Sequence, residues 1–326
     1  MVMPDFLVMG VPKAGTTALH AALVHHPELY LSAIKEPKFF LSEGRPPNRG
    51  GPGDAQTYQE HVWRRADYEA LFAPAPPGTL VGEATPFYLY DLDAQARIRR
   101  DVPDAKLIVV LRNPIDRAHS NWYHLWAAGL ESERGFVAAC KAEPARRAEG
   151  WADFWHYLGQ GRYGEQMAHL YSLFPKEQVL LMRYRDLRDT PAEALDRVCA
   201  FLGVRTGVIG VVPSENVTPY VPDTRVNTVL RTLLRTGGRF GQHFPVPLRL
   251  AARGPLLTAL HRRRGRRPKL TRDERLAIVS YFAEDIALLE RVTGESYQDW
   301  LDIENPPRAH SVATSGGQPD KLEEKA

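Results

Sequence analysis

A short apolar run, a glycine-bounded loop and a helix-patterned segment follow one another between Phe6 and His26. That order constrains the fold more than any other feature. Phe6 to Met9 is apolar and stops at Gly10, the pattern of a buried strand. Thr16 to His26 places Leu19, Ala22 and Leu23 on one helical face. Between them lies Gly10-Val11-Pro12-Lys13-Ala14-Gly15-Thr16-Thr17. Strand, glycine loop and helix open an α/β sheet whose ligand site lies at the strand's C-terminal end.

Later segments repeat the alternation. Thr79 to Gly82 reads as a strand leading into Glu83-Ala84-Thr85-Pro86. Lys106 to Leu111 reads as a buried strand ending at Arg112-Asn113-Pro114, and Pro114 suits the first turn of a helix reaching Ala128. Tyr163 to Phe174 is amphipathic. Gln178 to Met182 is another strand, and Pro191 to Leu202 a helix stopped by Gly203. Arg272 to Thr293 reads as one long final helix. The pattern predicts an α/β fold with a P-loop-like, mostly parallel sheet flanked by helices, as a single domain over residues 1–305. Residues 43–57, rich in Gly and Pro, read as a mobile loop, and residues 306–326 as a disordered tail.

Composition narrows the class. The 326 residues are 44% apolar, enough for one large core or one core with an attached lobe. A net charge of +3 says little about partners. Cys140 and Cys199 lie far apart, without metal or disulfide spacing, as buried thiols in a reducing compartment do. No signal-peptide pattern and no stretch near the ~20 apolar residues of a membrane span is seen, so a cytoplasmic location is expected.

Gly10 and Gly15 have the GxxxxG spacing of a phosphate-binding loop, in which backbone N–H groups and a helix N-terminus face an anion. A kinase or ATPase loop continues with Lys and Ser/Thr. Here Thr16 and Thr17 follow, and the lysine is Lys13, inside the loop. A plain connecting turn would also satisfy the two glycines. The run Pro12-Lys13-Ala14-Gly15-Thr16-Thr17-Ala18-Leu19 is more specific. It resembles the 5′-phosphosulfate loop (PK-x-G-T-[ST]) of sulfotransferases that use 3′-phosphoadenosine 5′-phosphosulfate (PAPS). The resemblance implies that Lys13, Ala14, Gly15, Thr16 and Thr17 bind the 5′ end of PAPS, with Lys13 on the 5′-phosphate and the bridging oxygen that leaves with it.

Arg112-Asn113-Pro114-Ile115-Asp116-Arg117-Ala118-His119-Ser120 resembles the 3′-phosphate motif of the same family, R-[DN]-P-x-x-R-x-x-S. By that resemblance Arg112 and Ser120 hold the 3′-phosphate, a task suited to a guanidinium at a strand end. His119 reads as structural. Lys35-Glu36-Pro37-Lys38-Phe39-Phe40 resembles the KE-x-x-[FY]F segment of bacterial and heparan-sulfate-type carbohydrate sulfotransferases, which makes Glu36 the expected base and Lys35 or Lys38 its charge balance. Alone, the segment would read as a surface turn before two core phenylalanines. Glu83-Ala84-Thr85-Pro86-Phe87-Tyr88 resembles E-K-T-P-x-Y, with Ala84 in place of the lysine, and Glu83 is the second candidate base. Gly161-Arg162-Tyr163 and Tyr184-Arg185-Asp186-Leu187 also fit the family. The resemblance runs from Asp5 to Leu301.

Thr224 to Arg272 contains no Asp or Glu and thirteen Lys or Arg, six of them between Arg262 and Lys269. Three readings stand. Arg264-Gly265-Arg266 resembles the K-G-R loop that closes over the PAPS 3′-phosphate, which would make this a helical, basic region closing on cofactor or acceptor. The stretch could instead face an acidic acceptor or a membrane surface, since Val226, Val229, Leu230, Leu233 and Leu234 form an apolar stripe beside Arg231 and Arg235. It could also be a solvated basic face. No nucleic-acid reading motif accompanies it, so no nucleic-acid partner is expected.

The resemblance implies an enzyme that moves a sulfuryl group from PAPS, without a metal, to a hydroxyl or amine of a carbohydrate, glycolipid or natural-product acceptor. The alternatives are a P-loop kinase of a small metabolite, disfavoured by Thr16-Thr17, and a non-catalytic polyanion- or membrane-binding protein built on residues 224–272.

Overall fold

The computed structural model describes residues 2–46, 49–54, 60–212, 221–222, 224–240, 246–261 and 268–303. Five strands form one sheet: β1 (Phe6–Val8), β2 (Leu29–Leu31), β3 (Leu80–Ala84), β4 (Lys106–Leu111) and β5 (Val179–Arg183), in the order β2-β3-β1-β4-β5. Every pairing is parallel, with Val8 opposite Ala84 on one side and Ile108 on the other. Parallel strands are covered on both faces, which is why β1 and β4 read as unbroken apolar runs. β2 was not expected: Leu29–Leu31 is flanked by Glu28 and Ser32, whereas the equally short β1 continues its apolar run into Met9 and ends at a glycine loop.

Strand order reverses around β1. The chain leaves β1 toward β2 and β3, then crosses back to β4 and β5. The carboxyl end of β1 is therefore a switch point, the usual ligand crevice of an open α/β sheet. Gly10 stands there because a Cβ would sit 2.8 Å from Val109 Cγ1 of β4.

The crossover helices begin where their caps say. Asp91 accepts from Ala94 N at the start of Leu92–Asp101. Asn113 accepts from Ile115 N and Asp116 N at the start of Pro114–Ala127, with Pro114 in the first turn. Pro114–Ala127 is buried almost all round, packed under both the sheet and the 153–161 segment.

Three expectations need correction. The final helix is two helices, Arg272–Val279 and Ala283–Thr293. The chain turns at 280–282, which lets Phe282 bury against Gly161, where a Cβ would meet its ring at 2.6 Å. Within the loop read as mobile, Asp54 is fully buried and accepts from Gly51 N, Ala152 N and Trp155 Nε1. The apolar stripe of the basic region is split between two faces of helix Arg225–Phe240. Leu234 is buried against Gly129, Leu230 is half-buried, and Arg231 lies 3.5 Å over the Trp126 ring. Val226, Val229 and Leu233 point outward, 69%, 60% and 51% exposed. Cys140 and Cys199 are free and buried.

Candidate functional site

The phosphate loop leaves β1 tied to β4, with Met9 N donating to Ile108 O and Val11 N to Val110 O, both at 2.9 Å. It then turns sharply, Lys13 at φ 71 and Gly15 at φ 82. Gly15 is the N-cap of helix Thr16–Leu23, no side chain caps that helix, and its first turn holds no acid. The first-turn N–H groups and the helix dipole are thus left for an external anion. Ala14 and Thr16 are buried beneath the loop, while Lys13 and Thr17 are partly exposed above it.

Arg112, at the end of β4, joins the second motif to the first. Its Nη1 donates to Lys13 O at 2.7 Å, and its guanidinium lies 4.7 Å over the ring of Tyr184. The Tyr163 hydroxyl fixes the backbone from the other side, donating to Arg112 O at 2.9 Å. Tyr184 also borders the loop, since a Cβ on Gly15 would be 3.0 Å from its ring. Ser120 lies further along the same helix as Pro114, nearly buried. Arg117, in the same motif, is wholly buried and donates to Gln160 Oε1 and Tyr157 O, so it anchors the scaffold. His119 packs edge-on to Phe136, a structural position. Arg264, Gly265 and Arg266 lie outside the described residues.

Glu36 and Lys38 complete a notable set. Among the described residues, the non-glycine positions with positive φ are Lys13, Glu36 and Lys38, at 71°, 60° and 61°. Each such position costs about 1–3 kcal/mol and persists where surrounding contacts enforce it, commonly at functional sites. Here Glu36 N donates to Ala84 O at 3.1 Å and Val62 N to Pro37 O at 2.9 Å. Lys35 Nζ meets Glu36 Oε1 at 2.5 Å, with both side chains about a quarter exposed (22% and 27%). Lys38 is buried, and burial lowers its ammonium pKa against the opposing pull of Glu36 and Glu60. His20, on the phosphate-loop helix, has its pKa lowered by burial and by Lys35, while Glu36 acts the other way. Strand pairing brings the same elements together, since β1 and β3 are neighbours and Glu36 is bonded to the end of β3.

Glu83 does not sit as a base should. It is fully buried, and three hydroxyls donate to it: Tyr88 at 2.7 Å and Tyr68 at 3.1 Å to Oε1, and Thr85 at 2.8 Å to Oε2. Burial pushes its pKa up to about 7 despite these donors. A carboxylate closed off in this way cannot reach an acceptor. Tyr184, Thr85 and Tyr88 lie in segments that match the family in sequence but were given no role there, and Tyr68 lies in none of them. The position of Tyr184, directly after a strand at the sheet's carboxyl edge, was the available signal.

Known proteins share the family and the fold. Residues 4–207 match the profile described as Sulfotransferase family. The chain is similar to the human bifunctional heparan sulfate N-deacetylase/N-sulfotransferase 3, 32% identical over 211 residues, which cover 62% of this chain and 22% of that protein. It is also similar to the human heparan sulfate glucosamine 3-O-sulfotransferase 6, 31% identical over 204 residues, covering 62% of this chain and 53% of that protein. The chain thus spans about half or less of these relatives. A solved sulfotransferase from Alicyclobacillus acidocaldarius shares the fold across 93% of this chain and 100% of its own, with a TM-score of 0.71 and 26% identity.

Proposed function

The chain belongs to the sulfotransferase family, and we propose that it carries a sulfuryl group from PAPS to a hydroxyl or amine of a carbohydrate, glycolipid or natural-product acceptor. Lys13, Ala14, Gly15, Thr16 and Thr17 take the 5′-phosphosulfate. Arg112 and Ser120 take the 3′-phosphate, with Arg264, Gly265 and Arg266 closing over it. The acceptor oxygen or nitrogen forms a bond to sulfur as the bond from sulfur to the bridging oxygen breaks. The electron pair leaves on the 5′-phosphate of 3′,5′-adenosine bisphosphate, where Lys13 offsets the charge, and the acceptor's proton passes to Glu36.

The observation that carries this reading is the coincidence of strain with chemistry. The two groups assigned to the leaving oxygen and the proton are among the few non-glycine residues held at positive φ. Both lie at the carboxyl edge of neighbouring strands. The two heparan sulfate relatives favour a sugar acceptor. A thermal-shift titration tests the donor site without a known acceptor, since binding raises the melting temperature by mass action. Selective stabilisation by 3′,5′-adenosine bisphosphate over 5′-AMP and over ATP with magnesium is expected. Stabilisation by ATP alone would return the kinase reading.

A cytoplasmic location and a membrane-surface contact through residues 224–272 extend the proposal. The two free buried thiols favour a reducing compartment. The outward row of Val226, Val229 and Leu233, in a stretch without acidic residues, favours an anionic surface. Binding to vesicles of anionic phospholipid, lost in a triple serine variant of that row, is the expected result. Equal binding by both proteins would remove the contact.

A further inference from the structure

Glu83 is a wholly buried side chain at the end of β3 that takes no part in the chemistry just described. Its surroundings show what it does. A carboxylate only accepts hydrogen bonds, whereas a hydroxyl carries one proton and also accepts. Because Glu83 takes the protons of Thr85 and Tyr88, both hydroxyls must turn their lone pairs outward. Those lone pairs meet the backbone of the strained segment. Thr85 Oγ1 accepts from Lys38 N at 3.3 Å, and Tyr88 Oη accepts from Phe40 N at 3.4 Å. The third hydroxyl differs. Tyr68 donates to Glu83, its ring stacks on Phe39 at 4.2 Å, and among the described residues its hydroxyl makes no hydrogen bond to the segment's backbone. On the other side of Pro37, Glu36 N is held by Ala84 O, the residue after Glu83.

We infer that Glu83 is a positioning residue: through Thr85 and Tyr88 it orients the hydrogen bonds that clamp Lys38 and Phe40, and so holds Glu36 in its left-handed conformation facing the acceptor. The inference rests on Glu36 being the base. It differs from a generic buried network in one respect, which is direction. A neutral side chain at position 83 would fill the same space, but it would let the two hydroxyls reverse and donate elsewhere, leaving the Lys38 and Phe40 amides without fixed acceptors. The clamp thus supplies the surrounding constraint that a non-glycine left-handed residue needs.

The test compares Glu83→Gln, Thr85→Val, Tyr88→Phe and Tyr68→Phe with the unaltered protein and with Glu36→Gln. Three quantities are read: amide hydrogen exchange across residues 35–41, affinity for 3′,5′-adenosine bisphosphate, and the rate of its release from PAPS with heparosan oligosaccharide or water as acceptor. Glu83→Gln, Thr85→Val and Tyr88→Phe should speed exchange at Lys38 or Phe40. They should slow release by roughly ten- to a hundredfold, the scale of a small misplacement of a reacting group, with nucleotide affinity kept within about twofold. Tyr68→Phe, which keeps its ring, should leave exchange and release unchanged. Unchanged exchange in the first three, or a Tyr68→Phe variant that behaves like them, would overturn the inference. Normal release by Glu36→Gln would instead overturn the base assignment, and the exchange data would still judge the clamp.

Discussion

Replacing Arg112 with alanine separates two effects that the structure joins in one side chain. The guanidinium donates to Lys13 O at 2.7 Å and covers the Tyr184 ring at 4.7 Å. Losing a charged donor to a partly exposed carbonyl costs about 1.5 kcal/mol. The cation–π contact adds about 0.5–1 kcal/mol. Stability should therefore fall by about 2 kcal/mol, or roughly 3 °C in melting temperature for a domain of this size. The nucleotide effect is larger and selective. A charged bond to the 3′-phosphate is worth about 1.5–3 kcal/mol, or roughly 10- to 150-fold in affinity. Calorimetric titration of both proteins with 3′,5′-adenosine bisphosphate and with 5′-AMP gives the coupling directly. The bisphosphate should lose at least about tenfold more affinity than 5′-AMP, a coupling of about 1.4 kcal/mol. Equal losses for the two ligands would refute the assignment of Arg112 to the 3′-phosphate, leaving it as a loop support only.

Gly15→Ala puts a Cβ at φ 82 and 3.0 Å from the Tyr184 ring, which must move and disturb its stacking with Arg112. A destabilisation of about 1–2 kcal/mol is expected, with weaker binding of 3′,5′-adenosine bisphosphate by calorimetry; unchanged affinity would exclude the loop from the donor site. Glu83, packed against Tyr68, Tyr88 and Thr85 and within the field of Glu36, has its folded-state pKa raised from an ordinary 4.5 to about 7 by burial. The sign follows: the folded form binds the proton more tightly, so stability from this group is greatest below about 4.5 and is lost as pH rises through about 7. Urea unfolding should therefore show Glu83→Gln gaining on the unaltered protein between pH 5 and pH 8, and a constant difference would contradict the raised pKa. Gly164→Ala places a Cβ 2.3 Å from Asp285 O, between helices Tyr163–Leu173 and Ala283–Thr293. Unfolding measurements should show a loss of about 1–3 kcal/mol, the cost of overpacking.

What could be read in advance was chemistry carried by contiguous residues. The loop from Pro12 to Thr17 and the run from Arg112 to Ser120 each need a strand exit, a turn and a helix start in sequence, and each stands where that pattern put it. Three kinds of feature were not legible. β2 is no shorter than β1 but sits between Glu28 and Ser32, without the longer apolar run and glycine loop that mark β1. The turn at 280–282 has no proline or glycine and exists because Phe282 finds a site beside Gly161, a tertiary event. Nothing in Glu36-Pro37-Lys38 signals left-handed backbone, since the strain is imposed by Ala84, Thr85 and Tyr88, about fifty residues away in sequence. The basic helix was ambiguous for another reason. Both of its apolar rows satisfy helical spacing, and only packing on Trp126 and Gly129 decides that Leu234 turns inward while Val226 and Val229 do not.

Single-turnover release of 3′,5′-adenosine bisphosphate from PAPS by the unaltered protein and by Glu36→Gln, across a panel of sugar acceptors, decides whether Glu36 takes the acceptor's proton. The unaltered protein should release the bisphosphate in an acceptor-dependent way. Glu36→Gln should release none above background while binding the bisphosphate with the same affinity. Release at the original rate by Glu36→Gln, or loss of nucleotide binding along with turnover, would contradict the assignment of Glu36 as the group that takes the acceptor's proton.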